Sequence, residues 1–185
     1  MRSNERPPTR PCVRNMGERW SSAPAVLAGV AGRAGGPLGG CGPRLELAFV
    51  ARGEARMILG GRIVTWSAGS LLLLAGHLPH HVTDLSPGAE LSWIAVPLRR
   101  ALGYRLGRRL WRPVVMGELL VTPGELHEAE RFAQWVNDVR GGDAYQIRTV
   151  ELEVEARLLR VAAALPGDPD VVAGAQLDWA AAMLA

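Results

Sequence analysis

Three histidines stand close together at His77, His80 and His81, and a lone carboxylate, Glu46, sits inside the apolar run LELAFVA. Imidazole is the commonest ligand of transition metals and the usual acid or base near neutral pH, so metal and acid–base chemistry are the first classes to weigh. A metal site needs three or four such groups brought together. The earlier segment Leu45 to Ala51 contributes only Glu46, and the remaining histidine, His127, falls in a distant helical stretch. The ligand count falls short, and neither a metal nor another cofactor is expected.

Binding chemistry fits the same residues better. Neighbours along a strand point to opposite faces, so one of His80 and His81 faces inward, where it could donate to a hydroxyl of a ligand or else order the turn at Pro79. Glu46 shares a face with Ala48 and Val50, opposite Leu45, Leu47 and Phe49. If that face is the inner one, Glu46 is a buried carboxylate that needs a partner, supplied by a ligand hydroxyl or an Arg; if not, it is a solvent-facing charge. Trp66 and Trp93 offer flat surfaces that either stack on a sugar ring or pack in a core. GGPLGG at 35–40 lacks the Lys-Ser/Thr pair of a phosphate loop, and Ser67, Ser70 and Ser92 show no relation to a His and a carboxylate, so no catalytic set is expected.

These residues need a scaffold, and the composition bounds it. The chain has 185 residues, 48% of them hydrophobic and 21% charged, which suits one folded domain and excludes wholesale disorder. The net charge of +3 is unevenly placed: residues 1–44 hold seven Arg against Glu5 and Glu18, and the remainder holds fourteen Arg against sixteen acids. The folded part is therefore slightly acidic. Its one basic stretch, Arg99 to Arg112, reads as a solvated helix face rather than a nucleic-acid surface. Cys12 and Cys41 have no metal-site spacing, and Ala25 to Val30 is too short to cross a membrane, so a reduced, cytoplasmic setting without membrane contact is expected.

Residues 1–43 are rich in Gly, Pro and Arg and read as a flexible arm. Beyond them, short apolar segments alternate with turn signals every 8 to 12 residues, the pattern of a small antiparallel barrel. The segments are Leu45 to Ala51, Arg56 to Leu59, Arg62 to Trp66, Ser70 to Leu74, His80 to Thr83 and Leu91 to Val96. Gly60-Gly61 supplies a two-residue hairpin, Ser86-Pro87-Gly88 a turn, and the sheet is expected to end near Pro97. Helical periodicity begins at Arg99. Thr122-Pro123-Gly124-Glu125 reads as a capping box opening a helix to about Arg140, stopped by Gly141-Gly142. A second helix from about Asp143 carries one apolar stripe: Ile147, Val150, Val154, Leu158, Val161 and Leu165. Residues 166–185 read as a linker and the start of a further helix.

The run LELAFVARGEARMILGGRIVTWSAGSLLLLAGHLPHHVTD, residues 45–84, resembles the N-terminal cupin-like sensor domain of AraC/XylS-family transcription regulators. The likeness rests on a strand ending at Arg52-Gly53, the Gly60-Gly61-Arg62 hairpin, the Ala68-Gly69-Ser70 turn, an apolar strand and then Leu78-Pro79-His80. The PHHVTD and SWIAVPL stretches and the helix around Trp135 are similar to the members that resemble the melibiose-operon regulator. The resemblance covers residues 45–165 and implies a fold that is mainly β with C-terminal α-helices. That fold is a double-stranded β-helix barrel over about 44–98, followed by a helical dimerisation region over 99–165.

It also implies an effector-sensing function, with a small metabolite such as a sugar contacted by Glu46, Trp66, His80, His81 and Trp93, and a homodimer through the 143–165 helix. In some relatives an N-terminal arm closes over the effector, for which Trp20 and Arg33 are available here. The helix-turn-helix domain of the family is missing, so no direct DNA contact is expected from this chain. The alternative is a small metal-dependent cupin enzyme, an isomerase or dioxygenase. Such enzymes draw two His and a Glu from the early strand and a third His from a later one, a set this sequence lacks.

Overall fold

A computed structural model of the chain describes residues 26–31, 39–40 and 42–165. Cys12, Trp20, Arg33, Cys41 and the helix expected after Val171 lie outside them. Within the segment read as an arm, two stretches are strands: β1 (Leu27–Ala31) and β2 (Gly39–Gly40). The sheet then follows the predicted apolar segments closely as β3 (Arg44–Arg52), β4 (Glu54–Leu59), β5 (Arg62–Ser67), β6 (Ser70–Ala75), β7 (His80–Leu85) and β8 (Glu90–Pro97).

The strands form two antiparallel sheets, ordered β1-β8-β3-β6 with one further strand beyond, and β2-β7-β4-β5. Gly60 and Gly61 both take positive φ, 53° and 83°, as a two-residue hairpin with the native strand twist requires. The sheets face each other in a cupin-like pair that does not close into a barrel. Alternation sorts their side chains. Ala48, Val50, Leu72, Leu74, Leu91 and Ala95 of the first sheet meet Ala55, Met57, Leu59 and Val82 of the second in one buried cluster. The opposite face of the first sheet, including Leu45, Leu47, Leu71, Leu73, Ile94 and Val96, packs against the helices in another. The molecule is thus three layers: sheet, sheet, helices.

The helical layer contains α1 (Leu98–Ala101), α2 (Gly107–Val115), α3 (Glu128–Gly141) and α4 (Ala144–Ala164), interrupted by β9 (Leu120–Pro123). That strand corrects two expectations. The sheet does not end at Pro97, because β9 pairs with β6 and completes the first sheet, with Thr122 opposite Leu71. The capping box at Thr122 does not form: Thr122 is in the ladder, and α3 starts after His127, which takes a left-handed φ of 61°. Pairing with the sheet edge outweighs a cap of about 1 kcal/mol.

Glu125 does other work, accepting from Arg160 Nε at 2.8 Å and from Arg131 Nη1 at 3.0 Å. Beside it Glu128, whose side chain is fully buried, accepts from Arg157 Nε at 2.9 Å and from the Glu125 amide at 2.8 Å. This network ties the start of α3 to α4. The end of α3 and the start of α4 lie where the sequence predicts. Gly142 takes the left-handed C-cap, and Asp143 accepts from the amides of Tyr145 and Gln146 at 2.9 and 3.0 Å. The α4 stripe is spent inside its own chain: Val150, Val154, Leu158 and Val161 are buried against the sheet and the other helices.

Candidate functional site

The interior between the two sheets, hereafter the lumen, is filled by their buried cluster and gathers most of the polar residues singled out above. On β3 the even-numbered residues Arg44, Glu46, Ala48 and Val50 face it, so Glu46 is the buried carboxylate of the two alternatives, about 9% exposed. Its partner is His80, on β7 of the facing sheet. His80 Nε2 lies 3.0 Å from Glu46 Oε2, and His80 Nδ1 lies 2.8 Å from the Leu78 carbonyl oxygen. A carbonyl can only accept, so Nδ1 carries a proton; Nε2 meets a carboxylate and carries the second. Burial pulls its pKa down, but the hydrogen bond to Glu46, that carboxylate's charge and the Leu78 carbonyl outweigh it, and the pKa ends raised above 6.5.

The backbone is shaped around this pair. Gly42 N donates to Gly76 O at 2.6 Å and Gly76 N to Arg44 O at 2.7 Å, closing the chain over Glu46. A Cβ on Gly76 would stand 2.5 Å from Glu46 Oε1, so a larger residue there would push the Glu46 carboxylate from its place beside His80. Arg44 sits at the same end, where burial lowers its pKa and the Glu46 charge raises it. β2 borders the pair directly, with Gly40 opposite His80.

His81 points away. As the neighbour of His80 it lies on the outer face and is exposed, so it cannot share the lumen with the other four candidates. His77 is partly buried in the turn after β6, where burial lowers its pKa. Among the described residues no group of three His, Cys, Asp or Glu side chains could hold a metal ion.

Trp66 on β5 and Trp93 on β8 are both buried in the lumen cluster, at 4% and 6% exposure. Each indole Nε1 is buried without a hydrogen-bond partner. Trp93 stands opposite Gly29 of β1, where a Cβ would come within 2.8 Å of its Nε1, so the strand inside the presumed arm forms part of the lumen wall. Sequence reasoning missed Arg44 and Gly76. Arg44 was legible, since it continues the 44, 46, 48, 50 alternation; Gly76 was not, because its constraint comes from Glu46, thirty positions away.

Comparisons with known proteins agree on architecture. No protein-family model matches the sequence, and no curated protein matches it. Among solved structures, an apo form of ToxT from Vibrio cholerae matches with a TM-score of 0.50 at 13% identity, over 81% of this chain and 61% of that one. An unsaturated fatty acid-bound ToxT from the same organism matches at 0.44 and 13% identity, over 74% and 52%. The AraC-like transcriptional activator CuxR matches at 0.41 and 10% identity, over 72% and 47%. The chain thus spans less than two thirds of these relatives' lengths. At 13% identity the likeness to the first of these is one of fold alone: two sheets followed by helices.

Proposed function

We propose that this chain is the effector-sensing part of an AraC/XylS-type transcription regulator, binding a small metabolite in the lumen, acting as a homodimer in the cytoplasm, and not catalysing a reaction. One observation carries the reading: two indole N–H groups, from Trp66 and Trp93, are buried in the lumen with no acceptor. An unsatisfied buried donor costs about 1–3 kcal/mol, and a ligand that supplies the acceptor recovers it. The Glu46–His80 pair closes one end of the same space and would fix the orientation of what enters, with the resemblance supplying the regulatory context. His81 is dropped from the contact set.

Dimerisation falls to the opposite face of α4 from the one first expected. With its main stripe buried, α4 still exposes Tyr145, Leu152 and Leu159, at 86%, 49% and 43% exposure. These recur every seven residues, the spacing at which two copies of a helix pack along a shared seam.

The test is thermal unfolding of the full chain against a panel of sugars and small metabolites. A ligand of the native state raises the midpoint, by the equivalent of about 2.7 kcal/mol at a hundredfold excess over Kd. The reading expects one compound class to do so and Trp66→Phe or Trp93→Phe to blunt the response; no response to any compound contradicts it.

A further inference from the structure

We propose that the segment 166–185 folds back onto α2 of its own chain, with Asp168 and Asp170 seated on Arg108 and Arg112 and with Val171 and Val172 covering Val115 and Met116. This docking surface does not depend on the effector reading.

The sequence of α2, GRRLWRPVV, holds three arginines and no acid, and burial of Leu110, Trp111 and Val114 leaves Arg108 and Arg112, four residues apart, exposed on one face. Beside them Val115 is half-buried and Met116 is 73% exposed, and the four side chains line a hollow of about 230 Å³. Small-molecule pockets run from about 300 to about 1,000 Å³, so this hollow suits a few side chains better than an effector. Among the described residues neither Arg108 nor Arg112 has a hydrogen-bond or ion-pair partner. The surface therefore wants an occupant that is both acidic and apolar.

The chain itself arrives there. Pro166 disfavours helical geometry at the residue before it, and Leu165 closes α4 in the extended region, with φ −70° and ψ 140°. The Leu165 carbonyl oxygen accepts from Arg109 Nη1 at 3.2 Å, which sets the start of 166–185 beside the neighbour of Arg108 on α2. An extended chain covers about 3.3–3.6 Å per residue, so Asp168 and Asp170 have about 10–18 Å of reach for two arginines whose Cβ atoms are about 5–6 Å apart. The composition of 166–185 matches the surface: three Asp, no Arg, Lys or His, and apolar residues that include Val171, Val172, Leu177 and Trp179.

The experiment labels the methyl groups of the full chain and looks for nuclear Overhauser contacts from Met116 to Val171 and Val172. The expected result is that these contacts are present, that Arg108→Asp with Arg112→Asp lowers the docked-to-free ratio about 2- to 30-fold through the loss of two exposed ion pairs, and that adding Asp168→Arg with Asp170→Arg restores it. A mixed sample, with methionine and valine labelled on different molecules, separates the occupants: contacts that appear there show the segment of a second copy on α2 and overturn the proposal. Absence of the contacts in the unaltered chain overturns it without recourse to any variant. So does their persistence once both arginines are reversed.

Discussion

At the scale of single residues, the Glu46–His80 pair is the feature with the sharpest consequences. Glu46→Leu leaves the buried His80 Nε2 without its partner and should cost about 1–3 kcal/mol in urea unfolding, while Glu46→Leu with His80→Leu should recover part of that loss. A double variant as unstable as the single would show that the pair is not a coupled unit. The pair also sets a pH dependence. Because the folded-state pKa of His80 is raised above 6.5, its contribution is fully present below 6.5 and is lost as pH rises through the folded value. The unaltered chain should therefore lose stability relative to His80→Gln as the pH rises from 6.5 through the raised folded-state pKa, and parallel stability curves would contradict the assignment. Much of this site was legible in the sequence: strand alternation alone required that His80 and His81 diverge and that Glu46 lie on the face of Ala48 and Val50. Which face was inner could not be read, because both faces of β3 are buried, one against the facing sheet and one against the helices.

At the scale of elements, α4 divides into two faces with different roles. Leu158→Ala, on the buried stripe, should destabilise the chain by about 2–5 kcal/mol. Leu152→Glu, on the exposed face, should leave stability within about 0.5 kcal/mol yet shift sedimentation toward the monomer. A monomer in both the unaltered chain and Leu152→Glu would refute dimerisation through α4. The Arg157–Glu128 contact, with both side chains nearly inaccessible, holds α3 to α4, and Arg157→Ala should cost up to about 3–5 kcal/mol by leaving the buried Glu128 only Arg131 Nη1, at 3.4 Å, and the Glu125 amide. Period-2 and period-3.6 patterns were enough to locate β3 to β8 and α4, since those elements bury continuous faces. β1, β2 and β9 escaped because Gly-rich or short segments carry no alternation of their own; they are strands only because β8, β7 and β6 offer open edges. The Thr122 motif misled for the same reason, a local cap signal overridden by a neighbouring edge.

At the scale of the whole molecule, the three layers assign separate tasks. The outer sheet and the inner sheet enclose the lumen, and the inner sheet shares its other face with the helical layer, to which α4 belongs. β8 carries Trp93 on its lumen face and packs its other face, Ile94 and Val96, on those helices, so under the proposed reading a ligand at Trp93 would act on the helical layer through β8. The order of strands and helices was legible as a family likeness, while the ligand chemistry was not, because it depends on which polar atoms the folded lumen leaves unpaired. The central claim is that Trp66 and Trp93 present their indole N–H groups to an effector, and nitrogen–proton correlation spectra of the indoles test it most directly. With the signals assigned through Trp66→Phe and Trp93→Phe, the addition of a compound that raises the unfolding midpoint should move these two together and leave Trp111 and Trp135, buried in the helical layer, in place. If the Trp66 and Trp93 signals stay still with every compound that raises the unfolding midpoint, the lumen is a packed core and the account fails.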